Sequence, residues 1–293
     1  MRLVLSRKGF DASWGGVPSP ILPDGTLRPL PIPYAAGSRT FADLGGPAPR
    51  AAELLADLAP RRRTPWGAPL GASTPAHLDP DLDRRTLPRP RGWRPAFGQT
   101  GAAQTHLAAR GVGPGDLFLF FGWFREVSRA AGRWRYAPGA PDLHVIFGWL
   151  QVGDVRPARP GLPAPAWLRT HEHVRADLGP SSTVYLAADA LTLGAQPVRD
   201  VPSAGVVRTL RAPLVLTAPG ASRSEWRLPA SFAPPSGALT YHDHPGRWRP
   251  DGPDHVRLRS APIGQEFVLG GNDTAVTWAR TLLTPERRNG AAA

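Results

Sequence analysis

Cysteine is absent from this sequence, and lysine occurs once, as Lys8. Without cysteine there are no disulfides, no thiolate nucleophile and no cysteine-ligated zinc or iron–sulfur centre. No hydrophobic run approaches the ~20 residues a bilayer-spanning helix needs, so no membrane association is expected. The chain enters a strand-like segment directly, without a long apolar stretch ending in small residues. A secretory signal is therefore not expected, and a cytoplasmic location is the default.

The scarcity of lysine is more informative. Of 35 basic residues all but Lys8 are arginine. Arginine's pKa is too high for proton transfer or amine chemistry, whereas a lysine can be tuned by its surroundings and can act as base or nucleophile. Lys8 lies just past Leu3, Val4 and Leu5, a short apolar segment that predicts a buried strand, so a loop could present it. The competing reading is a surface lysine left behind by arginine bias. The formal net charge of +12 favours a polyanionic partner: nucleic acid, DNA before RNA, or a nucleotide. A GC-rich coding sequence, which raises Arg, Ala, Pro and Gly together, is the alternative source of that excess.

The 36 prolines and 32 glycines predict few long helices and many loops. Helices are expected over 49–60, over 96–113 ending at Gly111, and from Asp273 to Leu283, capped by Asp273 or Asn272. Asp116–Val127 and Asp142–Val155 are apolar, aromatic and β-branched; they predict neighbouring buried strands, each carrying Phe-Gly-Trp. A glycine inside a strand permits a bulge or a close approach by a ligand, in a space the adjacent tryptophan could line. Trp123, Phe124 and Trp149 are therefore either pocket-lining or core aromatics. Further strands are expected at Ser182–Ala187, Pro213–Thr217, Glu225–Leu228 and Gln265–Leu269. Residues 61–95, rich in Arg and Pro, predict an excursion from a single domain spanning 1–293. The fold class expected is α+β, a strongly bent mixed sheet or small barrel with peripheral helices.

Chemistry concentrates first around Lys8. Ser6, Asp11, Ser13 and the flexible Gly15-Gly16 pair accompany it, and such a loop can hold a phosphate or set Asp11 beside Lys8 for proton transfer. An Asx-turn at Asp11 is the plain alternative. His77-Leu78-Asp79-Pro80-Asp81-Leu82-Asp83 offers nitrogen and oxygen donors but matches no calcium loop, and turn chemistry is the favoured account. His171 with His173, and His242 with His244, are His-x-His pairs without a third ligand at a defined spacing. No metal or other cofactor is assigned. Gln99, Gln104 and His106 can read a base edge. Arg125 is a phosphate candidate, as is the Ser222-Arg223-Ser224 trio, which can equally cap a turn.

Taken in order, SRKGFDASWGGVPSPILPDG, HLDPDLD, GWRPAFGQTGAAQTHL, GVGPGDLFLFFGWFR, PDLHVIFGWLQVG, SRSEWRLP and GQEFVL resemble the third nucleotide-modification-associated domain family, whose members are linked to DNA base hypermodification. The resemblance implies a role in altering bases and supplies no established reaction. A looser likeness, carried by GPGDLFLFFGWF and HVIFGWLQVGDV, is to PUA-like domains of the ASCH and EVE type, in which Trp123, Phe124 and Trp149 would line a pocket for a modified base. The leading expectation is a base-modifying enzyme in which Lys8 and Asp11 carry the chemistry. The alternatives are a non-catalytic reader of a modified base and a small-molecule enzyme with an incidentally basic surface.

Overall fold

A computed structural model describes every residue except 195, 236, 238, 262–264, 272 and 285–293. Its centre is a nine-stranded mixed sheet. The main path uses β1 (Leu3–Arg7), β3 (Ala96–Gln99), β4 (Leu117–Ala130), β6 (Leu143–Pro157), β7 (Thr183–Ala187) and β12 (Glu266–Leu269). Their order is β12-β1-β4-β6-β7-β3. Three further strands, β2 (Ser19–Ile21), β5 (Arg133–Tyr136) and β8 (Ala204–Val206), pair off this path. A separate three-stranded sheet holds β9 (Glu225–Pro229), β10 (Trp248–Pro250) and β11 (His255–Arg259), with β11 in the middle.

The first half of β4, Leu117–Phe124, is an unbroken apolar run because both of its faces are covered there. On one face, Phe118 and Phe120 pack against Phe97 of β3, at 5.0 and 5.1 Å between ring centroids. On the other, Phe121 meets Trp226 of β9 at 5.0 Å, which docks the small sheet. β1 lies parallel to β4, with Leu3 opposite Leu117 and Arg7 opposite Phe121. On its other edge β1 runs antiparallel to β12, with Ser6 opposite Glu266.

The sheet is open. No ladder joins its terminal strands β3 and β12 among the described residues, so the α+β class with a mixed sheet holds and the small-barrel expectation does not, and nothing in the topology adds to the PUA-like likeness. The two edges nevertheless meet through side chains, since Gln99 of β3 reaches Glu266 of β12. Helix α2 (Gly101–Ala109) follows β3 directly and covers this seam. Helices α1 (Ala51–Leu58) and α3 (Asp273–Leu283) lie elsewhere on the periphery.

The expected helix over 96–113 is in fact strand, then helix. Ala96–Gln99 pairs with β7, and the helix begins at Gly101. Phe97 and the chain around it have a place at the sheet edge that outweighs local helix composition. The segment Pro213–Thr217 is also no strand; it is a 3-10 turn, Ala212–Leu214, followed by isolated bridges at Val215 and Thr217. Helix α3 matches its expected span, while Asn272 lies outside the described residues.

At both Phe-Gly-Trp segments the space beside the glycine is filled by the chain itself, where a ligand was expected. A Cβ on Gly122 would stand 2.8 Å from the Lys8 carbonyl oxygen. A Cβ on Gly148 would stand 2.7 Å from Leu82. The β4–β6 ladder shifts register beside Phe147, the bulge that a glycine-containing strand allows.

Candidate functional site

Because side chains alternate along a strand, the inward face of β1 carries Val4 and Ser6, and Lys8 continues that direction past the strand end. Lys8 Nζ is 2.9 Å from Glu266 Oε1 and sits 4.5 Å above the Phe97 ring centroid. The lysine side chain is 10% exposed and the glutamate 1%. Gln99 Nε2 donates to the same Oε1 at 2.6 Å, and Gln99 Oε1 accepts the Thr100 N–H. The other carboxylate oxygen, Glu266 Oε2, is buried without a partner, as is Ser6 Oγ. Buried polar atoms are nearly always satisfied, so a carboxylate oxygen and a hydroxyl left open beside an ion pair make this a candidate site.

The wall above this centre comes from α2 and the turn at Thr240–Tyr241, between β9 and β10. His106 Nε2 is 2.9 Å from Thr240 Oγ1, which accepts the Val268 N–H. The His106 ring lies 4.7 Å from Tyr241. Burial, with Arg110 adding to it, lowers the His106 pKa, while Glu266 opposes the shift. Tyr241 is 47% exposed and has φ of 68°, a left-handed conformation that an aromatic residue adopts at a cost and that recurs at functional sites. Gln104 accepts the Tyr185 hydroxyl at 3.0 Å and belongs to the core side of the helix.

The outer edge of β3 supports a second cluster. The segment from His77 runs alongside it, with Asp81 bridged to Ala96 and the Gly98 N–H donating to Asp79 Oδ1 at 2.7 Å. Gly98 has no side chain because the His173 ring occupies that space. Donor atoms of His77, Asp79 and His173 all lie within 4.8 Å of one another. His171 Nε2 stands 3.5 Å from Asp79 Oδ1. Burial would raise the Asp79 carboxyl, but His171, His173 and His77 overcome it and hold the pKa at about 2. Burial pushes His173 down to about 3 and lowers His77. His171 goes the other way: burial opposes protonation, and the hydrogen bond and field of Asp79 prevail.

A cavity of about 540 Å³ has in its wall Gly9, the residue after Lys8, and Asp79, while Lys8, Gln99 and Glu266 themselves do not line it. Arg28, Arg85 and Arg208 also line it. The volume falls in the ~300–1,000 Å³ range of small-molecule sites.

The other candidates from the sequence are placed differently. Asp11 is not the carboxylate beside Lys8. Its Oδ1 accepts the N–H groups of Ser13 and Trp14 at 2.8 and 2.7 Å, the Asx-turn alternative. Gly16 donates to the Asp11 carbonyl, and Gly15 is required by the Phe10 ring packed against it, so the loop is closed on itself. Ser13 is exposed. Trp123 and Arg223 come together, with the guanidinium 4.0 Å above the indole, but on the Phe121 face of the sheet, opposite the face that carries Ser6 and Lys8. Trp149 packs on Gly205 and donates to the Pro202 carbonyl. Phe124 is core, 6.0 Å from Phe147. Arg125 stands 3.9 Å from Asp142. Ser222 and Ser224 face each other at 3.2 Å in the turn before β9. His242 does not pair with His244: it is buried, with Nδ1 on the Thr240 carbonyl and Nε2 on the Ala261 N–H.

Glu266 escaped the sequence reading because nothing local marks a glutamate opening a strand 258 residues from its lysine. The available signal was its position opposite Ser6, an acidic residue inside an otherwise apolar GQEFVL segment.

The family model described as nucleotide modification associated domain 3 matches residues 2–270. The chain belongs to this family. That match contains Lys8, Gln99, Glu266 and the His77–Asp79–His173 cluster. Comparison with curated proteins and with solved structures returns no match.

Proposed function

We propose that this member of the nucleotide modification associated domain 3 family is an enzyme that modifies a base in DNA or in a nucleotide, and that the reaction centre is the seam between β3 and β12. The observation that carries this reading is the buried Lys8–Glu266–Gln99 group with its two unsatisfied acceptors, Glu266 Oε2 and Ser6 Oγ. A base edge with N–H donors satisfies both acceptors, and Glu266 Oε2 is placed to take a proton from it. Lys8 supplies positive charge to an exocyclic oxygen or to negative charge that develops during reaction. Tyr241, held out beside His106, offers a face for stacking.

The cavity arginines supply the phosphate contacts, consistent with the net charge of +12. A base still within a duplex would have to leave the stack to reach a centre this enclosed.

Mass analysis of nucleosides from host DNA and RNA, with the gene present and deleted, tests the reading. A modified nucleoside that disappears on deletion supports it. Unchanged nucleosides, together with selective binding of the protein to modified DNA, would identify a reader and overturn it.

A further inference from the structure

We infer that His77, Asp79 and His173 form a binding site for one divalent transition-metal ion. The family description names no metal, and the site shares no ligand with the Lys8–Glu266–Gln99 group, although it adjoins it through Gly98 and the Lys8 charge reaches His77 and His173; the inference rests on its own donor atoms and not on the proposed reaction.

The donor set comes together from two distant segments. His77 and Asp79 lie on the strand-like stretch beside β3, and His173 on the single helical turn Glu172–Arg175. Their ligating atoms fall within 4.8 Å of one another. Bonds of ~2.0–2.2 Å to one ion place such atoms about 3–3.5 Å apart, a contraction that small side-chain rotations supply.

The surroundings assign each donor. His173 Nδ1 is engaged by Ser182 Oγ at 3.1 Å, which turns Nε2 toward Asp79, 3.9 Å from Oδ2. Asp79 Oδ1 is held by the Gly98 N–H at 2.7 Å and faces His171 Nε2, leaving Oδ2 for the ion. His171 Nδ1 accepts the His173 N–H at 3.3 Å, so the proton of a neutral His171 lies on Nε2, toward Asp79. His77 Nδ1 is buried without a partner, and its ring is fixed between Tyr34 at 5.1 Å and His173 at 5.3 Å. Metal-binding histidines and carboxylates are characteristically oriented by such outer contacts. The buried Glu172 carboxylate, whose field reaches His77 and His171, adds negative charge.

Two imidazoles select a transition ion over Mg²⁺ or Ca²⁺, which prefer all-oxygen sites. Three protein ligands leave positions open for water or substrate, as in catalytic rather than structural sites. Asp79 also lines the 540 Å³ cavity, so an ion held there would face the space proposed for a nucleotide.

The test uses untagged, chelator-treated full-length protein titrated with Co²⁺ and Zn²⁺. The expected result is one equivalent bound, visible d–d bands from Co²⁺, and a rise in the melting temperature with Zn²⁺ that a large excess of Mg²⁺ does not reproduce. In Asp79→Asn and His173→Ala, with folding checked by circular dichroism, binding should weaken by at least about 100-fold. In Ser182→Ala, where only the orienting contact is lost, it should weaken about 10-fold. Absence of both the Co²⁺ bands and the Zn²⁺ melting shift in the wild-type protein overturns the inference, whatever the variants do. Undiminished binding in folded Asp79→Asn and His173→Ala overturns it equally.

Discussion

Lys8 and Glu266 stand 258 residues apart in the chain and 2.9 Å apart in the fold, joined across the β1–β12 edge of the sheet. Both side chains are removed from solvent, so the pair is worth less as a stabilising contact than it costs to break. Lys8→Met leaves the glutamate with only Gln99 and should destabilise the protein by about 3 kcal/mol. The double variant Lys8→Met/Glu266→Gln should recover most of that loss. Urea denaturation of the four members of this cycle checks it. Additive losses would contradict a coupled buried pair.

Gly122 is the backbone support of the same centre. The Lys8 N–H donates to the Phe121 carbonyl, and the Lys8 carbonyl passes directly over Gly122. Gly122→Ala should therefore cost about 1–3 kcal/mol through overpacking, and it should also displace Lys8. Ala in place of the solvent-facing Gly139, where the structure leaves open space around the added Cβ, is no neutral control because φ there is 73°. Gly71, open and without positive φ, is the proper one. Comparable losses at Gly71 and Gly122 would contradict the close approach.

The core contains two neutral histidines whose nitrogens accept hydrogen bonds. His144 Nδ1 accepts the Trp226 indole N–H at 2.9 Å, and His242 Nε2 accepts the Ala261 N–H at 2.9 Å. Burial pushes His144 down to about 3 and His242 to about 4. In the unfolded chain both titrate near 6.5, so below that value the unfolded state binds protons that the native state refuses. Stability should fall as the pH drops from about 6.5 toward 4. The urea midpoint should be lower at about pH 5 than near neutrality, with a smaller difference in His144→Asn, whose amide oxygen replaces the acceptor without titrating. A difference unaltered by that substitution would contradict the assignment to His144.

Much of the architecture was legible because it rests on local pattern. The two Phe-Gly-Trp strands announce themselves as adjacent buried strands, and the spacing of α1 and α3 is plainly helical. The chain around Phe97 misled, because helix composition was read across a segment whose aromatic residue belongs to the sheet edge. The site was half legible. Lys8 stood out by its rarity, Ser6 by its nearness to Lys8 in the chain and Gln99 by an amide able to read a base edge. Its carboxylate did not, since Asp11 is close in sequence and Glu266 only in space. His77, Asp79 and His173 were each noted but left in separate segments, and only the β3 edge brings them together. The aromatic and arginine candidates divide across the sheet, since Trp123 and Arg223 occupy the face opposite Lys8.

That opposite face carries its own expectation. If the Trp123–Arg223 stack contacts phosphate, Arg223→Ala should weaken DNA binding at every sequence alike and lower the salt slope by about 1. Filter binding over a salt series checks this, and an unchanged slope would remove Arg223 from the interface.

The central claim is that the seam between β3 and β12, rather than the Asp11 loop, is where a nucleotide is modified. The most direct measurement is nucleoside mass analysis in a deletion host complemented with wild type, Lys8→Arg, Glu266→Gln or Asp11→Asn, each checked for folded, equal abundance. The account predicts that the modified nucleoside returns with wild type and with Asp11→Asn, and falls at least about 100-fold with Lys8→Arg and Glu266→Gln, the scale of losing a proton-transfer group. Full modification by Lys8→Arg and Glu266→Gln, with loss in Asp11→Asn, would contradict it.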